Sequence, residues 1–368
     1  MRPTPEQMLL LRACLLSGPD AAAAWSAWRA RINFDDIDAA SYRLVPLLHQ
    51  NLRRGKIDDE LSGRLKGIYR HTWARNQLLF HAAGPVLRSM QDAGIGVLVL
   101  KGAMLASAHY ADAGLRPMND FDFLIPLAGA HPAFAVMEQC GWHCAESVPP
   151  ARLVGCSYAG KWVNRAGQQI DLHWHLLPEG RQPGMDDDVW TRAVNIETGG
   201  GKFPGMNVTD LLWHVCAHGA VGDEIPAIHW VADAWTILQN RRAAIDWPQL
   251  VTAVQQRRLA LTVGRALIFL REEFNAPVPA PVIAELRRTP PAWLERWADR
   301  IKSRPRGILG AVPLHTVNYL RLTRHDHLWR RLTGAPLFFQ RVWGVPTVRG
   351  LPVYVAKKAA NRLAPAKR

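Results

Sequence analysis

Residues 95–126 read IGVLVLKGAMLASAHYADAGLRPMNDFDFLIP, and this stretch leaves few folds open. It begins as an apolar run, Ile95 to Leu100, and breaks at Lys101-Gly102 into a helical segment, Ala103 to Tyr110. A turn-prone patch then leads into Asp120-Phe121-Asp122-Phe123-Leu124-Ile125. Alternation of this kind predicts a half-buried strand. Phe121, Phe123 and Ile125 would face a core. Asp120 and Asp122 would share the opposite face, roughly 7 Å apart at the rise of a strand.

Two carboxylates that close repel by roughly 2 kcal/mol at an effective dielectric of about 20. A nearby cation offsets that repulsion. Hard divalent ions favour oxygen ligands, and Mg²⁺ binds through one or two carboxylates plus substrate phosphates. The plainer alternative is a solvated edge strand with two surface acids.

A second alternating run, Gln169 to Leu176, sets Ile170, Leu172, Trp174 and Leu176 on one side and Asp171, His173 and His175 on the other. His173 and His175 would meet a ligand or bond to a neighbouring carboxylate. His214 and His218 are spaced as in zinc-binding helices, but His-Val-Cys-Ala-His lacks the Glu of a His-Glu-x-x-His motif. Core or interdomain hydrogen bonding is the expectation there, with Asp233 a partner for one of them. Cys140 and Cys144 flank His143, yet no second pair at zinc-finger spacing follows.

The rest of the chain divides around the 95–126 stretch. Residues 1–86 read as an N-terminal helical domain, with Asp20 and Ser41 as caps and Gly84-Pro85 as its end. Residues 87–200 mix helices and strands, which predicts a small sheet with helices on one face. Gly199-Gly200-Gly201 and Pro204-Gly205 read as a linker. Residues 205–330 form a second helical domain. Residues 331–368 are a basic segment in which Pro and Gly lower the helix expectation until Val353 to Leu363.

Composition narrows the partners. Hydrophobic content of 48% supports folded cores, and five cysteines make no disulfide framework, so a cytoplasmic setting is expected. The net charge is +14. From Arg300 onward fifteen Lys and Arg stand against the single acid Asp326, so the C-terminal fifth carries essentially all of the excess. Such an end meets nucleic acid, an anionic membrane surface or an acidic partner, or it only solubilises. No apolar run reaches the length of a membrane span.

Three motifs together carry a resemblance: Lys101-Gly102-Ala103, Arg116-Pro117-Met118-Asn119-Asp120-Phe121-Asp122, and Ile170-Asp171-Leu172-His173-Trp174. They resemble the bacterial uncharacterised nucleotidyltransferase family of the DNA polymerase β-like superfamily. Its relatives include abortive-infection and minimal nucleotidyltransferases. The resemblance implies an α+β fold, a polymerase β-like mixed sheet with helices on one face, flanked by N- and C-terminal all-α domains. It implies that Asp120 and Asp122 bind two Mg²⁺ ions (Mn²⁺ as the substitute) and that Asp171 is the third carboxylate, metal-binding and nearest the attacking hydroxyl. Gly102 and Ala103 match the turn that holds the triphosphate. Lys101 and Arg116 are further nucleotide-binding candidates, though each would equally serve as an ion-pair or loop brace. Ala103 departs from the family's pattern by lacking a Ser hydroxyl, and the interval from Gly102 to Asp120 is long.

The expected activity is Mg²⁺-dependent transfer of NMP from an NTP, such as ATP, to a hydroxyl of a small molecule, sugar, peptide or protein. The alternatives are a toxin-like enzyme modifying tRNA or protein, and a silent scaffold of the same fold.

Overall fold

The computed structural model describes residues 3–178, 184–220, 228–240, 244–302 and 312–363. Arg304, Arg306, Lys367 and Arg368 of the basic end lie outside the described residues. In chain order the N-terminal helices are α1 Pro5–Leu15, α2 Gly18–Arg29, α3 Ala39–Tyr42, α4 Val45–Arg54 and α5 Ser62–Asp92. Next come β1 Leu98–Val99, α6 Lys101–Ala108, β2 Asp120–Leu124, α7 Ala130–Gln139, β3 Trp142–Cys144, α8 Pro150–Cys156, β4 Ala159–Asn164 and β5 Gln169–His173. After α9 Asp187–Thr191 come β6 Val194–Thr198 and β7 Gly201–Gly205, then α10 Val208–Ala220, α11 His229–Gln239, α12 Trp247–Gln256, α13 Ala260–Phe274 and α14 Ala280–Arg288. The chain closes with α15 Trp293–Lys302, α16 Val312–Leu322, α17 Leu328–Val342 and α18 Leu351–Leu363.

The helix starts follow local chemistry. Thr4 and Gln7 form a reciprocal capping box on α1. The caps differ from the expected Asp20 and Ser41, and α4, the segment expected behind Ser41, starts after Leu44 with no side-chain cap. Ser17 precedes α2, and the Asp38 carboxylate accepts the amides of Ala40 and Ser41 to start α3.

The strands form one mixed sheet in the order β3-β4-β5-β2-β1-β7-β6. β3, β4 and β5 are an antiparallel meander. β6 and β7 are an antiparallel hairpin, and β7 runs parallel to β1 with Val99 opposite Gly205. β2 is the fourth of seven strands, which changes its expected environment. Phe121 and Phe123 are fully buried, but Asp122 is only 4% exposed and Leu124 is buried as well. A central strand covered on both sides replaces the half-solvated one that the alternation predicts.

Two compact units compose the chain, each from separated stretches. The first holds Met1–Pro85, Leu98–Asp122 and Val189–Pro291; the second holds Val86–Val97, Phe123–Asp188 and Ala292–Arg368. In the first unit, both glycine marks read as chain punctuation turn out to be packing positions. α5 continues straight through Gly84-Pro85, and Gly199-Gly200-Gly201 is the turn of the β6–β7 hairpin rather than a linker. A Cβ on Gly199 would stand 3.1 Å from the Cα of Gly84. The helix and the turn approach backbone to backbone, which only glycines permit. Gly199 also has φ +59°. Gly199→Val is therefore expected to destabilise the fold by about 2–4 kcal/mol, combining left-handed strain with overpacking. Chemical denaturation with an unchanged m-value is the check.

The second unit corrects the reading of the basic segment. Leu328–Val342 is one helix despite Pro336 and Gly334. Its C-terminal half is held by packing of Tyr319 against Phe338, whose rings lie 4.9 Å apart. Tertiary contacts of this sort override weak helix propensity.

Candidate functional site

The site grows from the end of β1. Leu98, Val99 and Leu100 are wholly buried, and the chain then turns sharply into α6. Lys101 takes φ +34°, a left-handed value that a side-chain-bearing residue adopts only under constraint. The turn delivers its ammonium to Asp122, with Nζ 2.8 Å from Oδ1. The Leu100 amide donates to the Asp122 carbonyl at 3.0 Å, fixing the register at the same point.

Gly102 has a physical reason of its own. A Cβ there would lie 2.6 Å from Nη1 of Arg116 and 3.4 Å from the Met118 sulfur. The missing side chain makes room for a guanidinium. Ala103 beside it is fully buried.

Arg116 is committed to a partner that sequence spacing does not reveal. Its Nε donates to Oδ1 of Asp233 at 2.8 Å and its Nη2 to Oδ2 at 2.9 Å, a bidentate pair buried in the first unit. Tyr110 donates its hydroxyl to the same carboxylate at 2.8 Å. Burial opposes charge on both groups, but mutual attraction wins. Arg116 is raised above the usual guanidinium value and Asp233 is held below the usual carboxylate range. Asp233 was expected to pair with His214 or His218; the observed hydrogen bonds are to Arg116 and Tyr110 instead.

The loop between α6 and β2 is clamped from further directions. Asn76 of α5 donates to the carbonyls of Ala113 and Arg116 and accepts the Met118 amide. Arg43 donates to the Pro117 carbonyl at 3.2 Å. Burial lowers His229 to about 3, with the charge of Arg43 acting in the same direction, so its ring is neutral at ordinary pH. This bracing delivers Asp120 and Asp122. The Asp120 carboxyl is raised, first by burial and then by the negative charge of Asp122, while Lys101, Arg43 and Arg116 pull it back.

β5 contributes Asp171 and His173. Asp171 is half-buried and stands opposite Lys161 of β4. His173 is buried, its ring 5.7 Å from that of Tyr158, and its carbonyl accepts the Ile125 amide at 2.9 Å. Ligand atoms of Asp122, Asp171 and His173 all lie within 4.8 Å of one another. Two carboxylates and an imidazole are a donor set that fits a divalent cation, and the nitrogen widens the choice beyond strictly oxygen-loving ions.

Of the residues expected from sequence, the structure thus gathers Asp122, Asp171 and His173, with Lys101 on Asp122. Asp120 is on the same strand but outside that group. His175 lies by Asp186 instead, Nδ1 to Oδ2 at 3.9 Å. The rings of His214 and His218 lie 6.0 Å apart on α10, tilted by 50° to one another. A separate cavity of about 610 Å³ in the first unit is lined by Gln77, Ser107, Asp112, Glu197 and Lys202 among others, and none of the expected site residues lines it.

The chain is thus an α+β fold whose central strand presents acids beside a strand–glycine–helix turn. The family model described as uncharacterised nucleotidyltransferase matches residues 39–275, well over half of the 368-residue chain. The chain belongs to that family. The match takes in the helices before and after the sheet as well as the sheet itself. No curated protein matches the chain. Among solved structures, that of the antibiotic-resistance factor ANT(2'')-Ia is similar at 13% identity and a TM-score of 0.31, covering 55% of this chain and 92% of that one.

Proposed function

We propose that the chain transfers a nucleotidyl group from a nucleoside triphosphate to a hydroxyl, using a divalent cation held by Asp122 and Asp171 with His173 beside them. The observation that carries this reading is the meeting of those three side chains in a member of a nucleotidyltransferase family. The acceptor oxygen bonds to the α-phosphorus, the bond from that phosphorus to the bridging oxygen breaks, and pyrophosphate leaves. The cation, Mg²⁺ or Mn²⁺, supplies charge neutralisation at the phosphate oxygens when bound.

The chain's own residues do the remainder. Asp171, the more exposed of the two carboxylates, orients the acceptor hydroxyl and takes its proton. Asp120, its carboxyl already raised, completes the acidic face and would be a further oxygen ligand for such a cation. The amides of Gly102 and Ala103 open α6 and face the triphosphate, where a helix start favours anions. Lys101, which pairs with Asp122 at 2.8 Å, is the cation of the chain placed to bind a phosphate oxygen of the nucleotide. Arg116, tied to Asp233, braces this turn.

Incubation with each labelled NTP and Mg²⁺ or Mn²⁺, with hydroxyl acceptors of several classes, tests the reading through pyrophosphate release. Release that requires the cation and an acceptor supports it. No release, together with no metal-dependent NTP binding, overturns it.

A further inference from the structure

α17 reads LWRRLTGAPLFFQRV and is held at both ends while its first turns keep apolar side chains in solvent. Gln340 is buried, donating through Nε2 to the carbonyls of Ser147 at 2.9 Å and Pro346 at 3.1 Å. Arg341 pairs with Glu146 at 2.9 Å. At the other end Arg331 donates through Nε to the Thr323 carbonyl at 2.8 Å, which fixes the helix rotation. The first turns are therefore held in place rather than frayed. Yet Leu328 is 71% exposed, Trp329 74% and Leu332 60%. At about 100° per residue these three fall within one arc of the helix.

The surroundings are positive. α17 and α18 contain Arg330, Arg331, Arg341, Lys357, Lys358 and Arg362 and no acid. Val353 on α18 is a further exposed apolar side chain, at 57%. A protein partner with ordinary mixed charge would not require a basic end free of acids beyond Asp326. Single-stranded nucleic acid would use Trp329 for stacking but would gain nothing from Leu328 and Leu332. Trp and Leu on one face with Arg and Lys around them are the chemistry of an interfacial helix. No described helix is long and apolar enough to cross a membrane, so the helix would lie in the plane of the surface.

We propose that the N-terminal half of α17 docks on an anionic lipid surface, with Leu328, Trp329 and Leu332 entering the headgroup layer and the exposed Arg330 and Lys357 meeting the lipid phosphates. The contact is independent of the nucleotidyl-transfer reading, because none of its residues belongs to that site.

Flotation of the full chain with phosphatidylcholine vesicles, with and without phosphatidylglycerol, tests it. Binding is expected only to the anionic vesicles and should weaken as salt rises. A Trp329→Glu/Leu332→Glu double variant is expected to lose it by about tenfold or more. Both positions are exposed, and an unchanged melting temperature shows that the fold is kept. An Arg330→Ala variant should lose binding more gently. Failure to float with anionic vesicles overturns the proposal, as does equal flotation with neutral ones. So does binding to an RNA oligonucleotide with no lipid binding, or a dimer that Trp329→Glu dissociates without any vesicle association.

Discussion

Asp122→Asn is expected to lower nucleotidyl transfer by about a thousandfold or more while the protein remains folded. The size follows from what the carboxylate does. Removing one charged ligand from a site that stabilises transferring phosphate forfeits several kcal/mol of transition-state stabilisation, and about 4 kcal/mol is a thousandfold. Folding is spared because the amide oxygen still accepts from Lys101, whose Nζ lies 2.8 Å from the carboxylate it replaces. The backbone bond from Leu100 to the residue 122 carbonyl is untouched. Pyrophosphate release beside a thermal melt separates the two effects. Activity within tenfold of the unaltered protein would remove Asp122 from the chemistry.

Asp233→Ala is expected to do the opposite, acting first on stability. Arg116 and Asp233 join helix α11 to the loop before β2 through two parallel hydrogen bonds, and neither side chain has much solvent to fall back on. Truncating one partner leaves a buried guanidinium unpaired and strips Tyr110 of its acceptor, which should cost about 3–5 kcal/mol. Replacing both charges by apolar groups of similar volume, as in Arg116→Met/Asp233→Leu, should restore most of that loss, because desolvation of the two ions disappears with them. Urea titration of the two single variants and the double variant measures the coupling. A double variant as unstable as the sum of the singles would contradict this account of the pair. Loss of transfer in a double variant that is folded and stable would identify Arg116 as more than a brace.

The sequence carried the parts of this fold that local patterning controls. Alternation located β2 and β5 to within a few residues, and helical patterning marked 205–330 as a run of helices, as α10 to α14 are. What it could not carry was the neighbourhood of each element. The pattern Asp-Phe-Asp-Phe is the same whether a strand lies at an edge or fourth among seven, so the burial of Asp122 was not visible in it. Glycine has two uses, to turn a chain and to let two backbones touch. Gly84 and Gly199 serve the second, which needs a partner far off in the chain. β6 and β7 were missed for the same reason, since a run of Gly and Pro hides short strands.

The candidate site divides along similar lines. Asp122 stands out because acids alternate along its strand, and Asp171 enters through the resemblance to the nucleotidyltransferase family. His173 stood beside them as an accessory candidate, and its approach to both carboxylates comes from the pairing of β5 with β2. Arg116 was named for phosphate, but its partner Asp233 lies 117 positions away and had no local signature. The only hint was chemical: an Arg followed by Pro, within reach of a strand of acids, needs something to hold it.

Binding of Mn²⁺, followed by the loss of its free-ion electron paramagnetic resonance signal, reads the cation site of β2 and β5 with no knowledge of the acceptor. The unaltered chain should take up Mn²⁺, more tightly with NTP present, and Asp122→Asn and Asp171→Asn should each weaken that uptake by about tenfold or more. Equal uptake by all three proteins, or none by the unaltered chain even with NTP, would contradict a cation site built from these two strands.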